Sequence, residues 1–161
     1  MDITSIPITM PEGANVVIGQ AHFIKTAEDL AEIVVGAVPG IRFGLAFSEA
    51  SGPCLVRTEG NDAELVTAAA TAAVAVGAGH SFYLFIRNAF PINLLNAVKN
   101  CQEVTHVFCA TANPLRVLAA RSEDGAGIVG VVDGSSPKGV ETDADRKVRR
   151  EMIRKFGYKL Q

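Results

Sequence analysis

The chain has 161 residues, 48% of them hydrophobic and 20% charged, with a net charge of −2. That size suits one domain over 1–161 with a substantial core, and the near-neutral charge gives no case for nucleic acid or an anionic membrane. Three cysteines, Cys54, Cys101 and Cys109, form no CxxC pair and leave an odd count, so neither a disulfide framework nor a zinc ribbon is indicated and a reducing cytoplasm fits.

Met1-Asp2-Ile3-Thr4 lacks the basic start and apolar run of an export signal, so export is not expected. After a lead-in marked by Pro7 and Pro11, Asn15 to Gly19 reads as a short strand, with His22 just beyond it. Thr26-Ala27-Glu28-Asp29 has the form of a capping box. Leu30, Ile33, Val34 and Val38 then make one helical stripe, which Pro39-Gly40 ends.

Residues 41–49 alternate, with Ile41, Phe43, Leu45 and Phe47 on one face, and Glu49 falls on that same face at the strand's end. Buried alone, its carboxylate would be costly, so it needs water, a partner or a ligand. Ser51-Gly52-Pro53 reads as a turn, and Cys54 to Thr58 as a strand returning alongside the first. That pairing predicts Arg57 and Glu59 near the beginning of the Ile41 strand, away from Glu49.

Asn61 is expected to cap a helix with Glu64 at its third position, the helix running to about Gly77. Leu65 to Ile86 carries no acid, lysine or arginine. The interruption at Gly77, Gly79 and His80 and the change of period make it a helix followed by a strand, not a membrane span. Phe82 to Ile86 is a strand covered on both faces. Its leading bend, Gly77-Ala78-Gly79-His80-Ser81, leaves two readings open. The glycines turn amides toward an anion beside an accessible imidazole, or they only end the helix and His80 is core filling.

Pro91 suits the first turn of a further helix with Ile92, Leu94, Leu95 and Val98 apolar. Val104 to Thr111 gives a strand, and Leu115 to Arg121 with Ile128 to Val132 a hairpin. Thr142-Asp143-Ala144-Asp145 caps a final helix in which Val148, Met152 and Phe156 lie four apart. The expected fold class is α/β (α+β), a mixed sheet of about six to seven strands with about four helices packed on it.

Several chemistries are excluded. There is no GxxxxGK[ST] loop, no HxxH or HExxH, and no GxSxG elbow, so P-loop hydrolysis, histidine metal ligation and an esterase triad are not indicated. Gly125 to Gly130 matches GxGxxG but leads into a strand, whereas a dinucleotide fingerprint must open a helix. What remains is polar residues at the ends of apolar strands. If the strands run parallel, Glu49, Ser51, Asn88, Thr111, Asn113 and Asp133 gather along one sheet edge, with His80, Arg57 and Glu59 at the other.

The chain resembles the adenosine-specific kinase family from about Phe23 to Lys159. The likeness rests on Phe43-Gly44-Leu45-Ala46-Phe47 with Glu49-Ala50-Ser51-Gly52, on Arg57-Thr58-Glu59-Gly60-Asn61-Asp62 and on Gly77-Ala78-Gly79-His80-Ser81-Phe82. It extends through Phe90-Pro91-Ile92-Asn93, Cys109-Ala110-Thr111-Ala112-Asn113-Pro114, and Gly130-Val131-Val132-Asp133-Gly134 with Pro137-Lys138-Gly139-Val140-Glu141. Ser48 stands where family members often carry cysteine, which speaks against an essential thiol there.

The resemblance implies binding of adenosine or AMP and phosphate transfer to adenosine, with His80 as the phosphate carrier. In that reading Arg57 or Lys138 offsets charge on the transferring oxygens, and Mg²⁺ accompanies a nucleotide phosphate donor on carboxylates such as Glu59, Asp62 or Asp133. Asp133 or Glu49 takes the hydroxyl proton, and Asn93, Thr111 and Asn113 meet adenine and ribose. Ser51 and Asn61, inside the matched segments, complete the substrate-binding set. A second reading is a non-catalytic adenosine or AMP sensor, and a third a structural subunit. A homo-oligomer such as a trimer or hexamer is expected, with the alanine-rich helix as a contact.

Overall fold

The fold is described over residues 2–161 of a computed structural model. Its elements in order are β1 (Asp2–Ile8), β2 (Asn15–Ala21), α1 (Thr26–Ala37), β3 (Arg42–Ser48), β4 (Val56–Gly60), α2 (Ala63–Val76) and β5 (Ser81–Arg87). A 3₁₀ turn at Pro91–Asn93, α3 (Leu95–Lys99), β6 (Val104–Thr111), β7 (Leu115–Arg121), β8 (Ala126–Asp133) and α4 (Asp143–Lys155) complete it. The α/β class is as expected, but the strands divide between two sheets and every paired strand is antiparallel. Five form the order β4-β3-β5-β2-β6 and three the order β1-β7-β8.

Residue pattern explains the layering. In β5, Phe82, Leu84 and Ile86 face α1 and α3, while Tyr83 and Phe85 face α2 and the three-stranded sheet. All five are fully buried, as a five-residue apolar run requires at the centre of a sheet. β3 is also covered on both faces. Phe43, Leu45 and Phe47 point toward α1, and its small residues admit α2 on the other side. At Gly44 an added Cβ would lie 2.1 Å from the carbonyl carbon of Leu65, so the helix backbone rests directly on the strand. The buried alanines of α2, Ala69, Ala72 and Ala73, are spent on this internal packing.

Two caps differ from expectation. Asp62, not Asn61, is the α2 N-cap, accepting from the amides of Glu64 and Leu65. No capping box forms at Thr26, whose hydroxyl instead donates to the Phe23 carbonyl. β1 was hidden by Pro7, which an edge strand tolerates because only one side of it pairs.

Candidate functional site

Antiparallel pairing regroups the polar strand ends. The C-terminal end of β3 lies beside the N-terminal ends of β4 and β5, with Ser48 opposite Val56 and Phe47 opposite Phe82. Glu49, Ser51 and Arg57 therefore sit at the His80 end, not across the sheet from it. Glu49 and Arg57 form an ion pair, with Arg57 Nε donating to Oε1 at 2.9 Å and Nη2 at 2.8 Å from the same oxygen. The Leu55 amide donates to Glu49 Oε2 at 2.8 Å. These bonds, led by the amide, hold the Glu49 carboxyl below the usual range, so it is ionised at neutral pH.

His80 is fixed by its backbone. Gly77 takes the left-handed conformation that ends α2, its amide reaching the Ala73 carbonyl at 2.9 Å. The chain then turns so that the His80 amide donates to the Ser48 carbonyl at 2.7 Å, and its own carbonyl accepts from Ala21 at 2.8 Å. His80 thereby ties the ends of β2 and β3 together at a φ of 59°, strained for a residue with a Cβ. Its imidazole is half-buried and stacked on Phe47, with ring centroids 6.0 Å apart. Next to this loop is an open cavity of about 550 Å³, lined by Ser48, Glu49 and Gly77–Gly79 on one side and Asp124–Ala126 on the other. The Ser48 hydroxyl, on a residue only 7% exposed, is buried without a hydrogen-bond partner.

The opposite end holds a second cluster. Thr111 Oγ1 donates to Asp133 Oδ1 at 2.7 Å and accepts from the Asn113 amide at 3.0 Å, while Asn113 Nδ2 donates to the same Asp133 oxygen at 3.0 Å. Beside it lies a more apolar cavity of about 710 Å³, lined by Asn15, Phe90, Pro91, Ile92, Thr111, Phe156 and Tyr158 among others. β5 separates the two clusters, and seven residues at about 3.3 Å each span about 23 Å. One chain does not bring His80 and Asp133 together.

The other expected site residues are spread out. Asn61 spends its amide on β3, accepting from the Phe43 amide and donating to the Ile41 carbonyl. Asn93 accepts from the Phe90 amide and closes the 3₁₀ turn. Glu59 is exposed on edge strand β4, opposite Leu45, and Lys138 is exposed in the loop between β8 and α4.

The chain matches the family described as Adenosine specific kinase over residues 6–159. It belongs to that family. It is also similar to the PH1918 protein from Pyrococcus horikoshii OT3, whose crystal structure matches at 46% identity over 99% of each chain with a TM-score of 0.95. No curated protein matches.

The carboxylates named for Mg²⁺ in this member of the adenosine-specific kinases do not make a ready site. Asp62 is the α2 cap and lies 3.4 and 3.6 Å from Arg42 and Arg87, and Asp133 is bonded to Thr111 and Asn113. Among the described residues, the one converging group of three ligand-type side chains is Asp29, Cys101 and Glu103. The Lys25 ammonium already pairs with two of them, at 2.8 Å from Glu103 Oε1 and against Asp29. Glu103, only 2% exposed, also accepts from Cys101 Sγ at 2.9 Å. Those bonds lower the Glu103 carboxyl to about 2, and burial with the neighbouring carboxylate raises the Cys101 thiol to about 11. The sequence reading missed this cluster and the Ser48 hydroxyl. For Ser48 the signal was its place opposite the Phe47 face, in line with Gly44 and Ala46.

Proposed function

We propose that the protein is an adenosine phosphotransferase in which His80 carries the phosphoryl group. Family membership supports the adenosine-related part, and the transferase class follows from the family's description. The observation that carries the histidine route is a half-buried imidazole on a residue clamped by two backbone bonds, directly after Gly77–Gly79, which line a cavity together with the ionised Glu49. A neutral imidazole nitrogen attacks the donor's terminal phosphorus, an N–P bond forms and the donor's P–O bond breaks. The adenosine 5′-oxygen then attacks that phosphorus, the N–P bond breaks, AMP leaves and the hydroxyl proton passes to a carboxylate. Glu49 is at the right end of the sheet for that proton and Asp133 of the same chain is not. Arg57, bonded to Glu49, supplies positive charge near the transferring oxygens. The donor is a nucleoside triphosphate, and the setting a reducing cytoplasm that suits three free cysteines.

The aromatic cavity at the far end favours a second reading, a sensor that binds adenosine or AMP without turnover. Phe90, Phe156 and Tyr158 offer ring faces to a purine, and Asn15 and Thr111 offer donors and acceptors to its edge or ribose. Incubation with ATP and a panel of nucleosides, with AMP measured, separates the two. The transferase reading expects AMP from adenosine and its loss in His80→Ala. Equal AMP formation by that variant overturns the phosphohistidine route. Calorimetric binding of adenosine without any turnover, abolished by Thr111→Val, establishes the sensor instead.

A further inference from the structure

β5 begins with two hydroxyls that an apolar strand does not need. Ser81 and Tyr83 are 2% and 0% exposed, two residues apart on the face turned to α2 and the three-stranded sheet. Alanine and phenylalanine would fill the same space without burying polar atoms, which cost free energy unless they are bonded. Both hydroxyls are bonded, and to the bend that carries His80. Ser81 Oγ donates to the Ala78 carbonyl at 2.6 Å, and Tyr83 Oη lies 3.1 Å from Ser81 Oγ. The carbonyl can only accept, so the single Ser81 hydrogen goes to it and the phenol supplies its own hydrogen to Ser81. Burial pushes the Tyr83 hydroxyl up to about 12, so that donor keeps its proton throughout the neutral range.

What these two bonds hold is a turn under strain. In the four residues from Ala78 to Ser81 the first carbonyl accepts from the fourth amide, and that backbone bond is long, at 3.4 Å. His80 is the third residue, at a φ of 59°. Turns with positive φ at that place favour glycine or asparagine, because most larger side chains are strained there. The Ser81 hydroxyl reaches the same carbonyl at 2.6 Å and so closes the turn that the backbone closes only loosely. The connection between β3 and β4 presses on the bend from another side, where an added Cβ at Gly79 would stand 2.9 Å from Ala50 Cβ.

We infer that Ser81 is a positioning residue for His80, its hydroxyl, backed by Tyr83, holding the strained turn that keeps the imidazole stacked on Phe47. This role rests on the reading of His80 as phosphate carrier. It belongs to a side chain that is itself shut off from solvent and so acts only through the imidazole. A nitrogen nucleophile must meet phosphorus in line with the leaving oxygen, and a small misplacement costs a large share of the rate. Loss of such positioning lowers the rate of transfer and leaves the affinity for adenosine in place.

A small cavity of about 90 Å³ beside Ser81, lined also by Gln20, Gly79, Phe108, Gly127 and Ile128, leaves room for one added methyl. Ser81→Thr therefore keeps the hydroxyl, and Ser81→Ala removes it. In the full chain, kinetics of AMP formation from ATP and adenosine should show Ser81→Ala with kcat lowered at least tenfold and KM for adenosine within twofold. Ser81→Thr should keep at least half of the wild-type kcat. Tyr83→Phe preserves the packing of the strand and should lower kcat at least threefold. Hydrogen exchange of the His80 amide, which donates to Ser48, should be at least tenfold faster in Ser81→Ala. Wild-type kcat in Ser81→Ala overturns the positioning role, as does a Ser81→Thr chain as slow as Ser81→Ala. Should Ser81→Ala fail to fold, wild-type kcat in Tyr83→Phe overturns it. A wild type that makes no AMP overturns the transferase reading alone. The positioning role then stands or falls on the His80 amide, and unchanged exchange in Ser81→Ala overturns it.

Discussion

At the scale of single residues, the site is marked by groups the fold holds at some cost. The Ser48 hydroxyl is buried unpaired, and an unsatisfied buried hydroxyl typically costs about 1–3 kcal/mol. Ser48→Ala should therefore keep or raise the stability of the unliganded chain, by about 1 kcal/mol in urea unfolding, against the usual direction for a core substitution. A loss of stability would mean that the hydroxyl has a partner in solution. Gly44 poses the reverse case. An added methyl would lie 2.1 Å from the Leu65 carbonyl carbon and equally close to the Val66 amide nitrogen, neither of which can swing aside. Gly44→Ala should cost about 3 kcal/mol or more, at or beyond the upper end of overpacking penalties, and denaturant unfolding would show it.

At the scale of elements, period and turn chemistry made most of the fold readable. The apolar run 82–86 announced a strand covered on both faces, and Thr142 caps the last helix as read. β1 did not announce itself, because Pro7 reads as a strand breaker until its edge position is known. The α1 start was misread, since Thr26 turned its hydroxyl back to Phe23. What anchors α1 instead is long-range, the bond from Lys25 to Glu103 across 78 residues of sequence, which no local pattern contains. This ion pair has a pH signature. Cys101 and Lys25 lower the Glu103 carboxyl from 4.5 in the free residue to about 2, so its stabilisation is present above about 4.5 and is lost as pH falls toward 2. Glu103→Gln should be less stable than wild type at pH 7, with the gap narrowing below pH 4.5. Denaturation midpoints measured at pH 7, 4 and 2.5 check this, and a gap constant with pH would refute it.

At the scale of the whole molecule, the individual site residues were legible but their grouping was not. Sequence placed Glu49 and Asp133 together on the assumption of parallel strands. Antiparallel pairing sends Glu49 to the His80 end and leaves Asp133 with Thr111 at the other. Strand direction depends on which runs pair across the sheet, and apolar runs buried on both faces carry no alternation to reveal it. The separation has a thermodynamic consequence. Groups more than about 10 Å apart with no shared partner contribute additively, within about 0.5 kcal/mol. Glu49→Gln breaks the pair with Arg57, and Asp133→Asn weakens the bonds to Thr111 and Asn113. If the two ends act alone, the destabilisation of the double variant in urea should equal the sum of the single ones within that margin. A departure from the sum by more than about 0.5 kcal/mol would mean that the two ends share a partner.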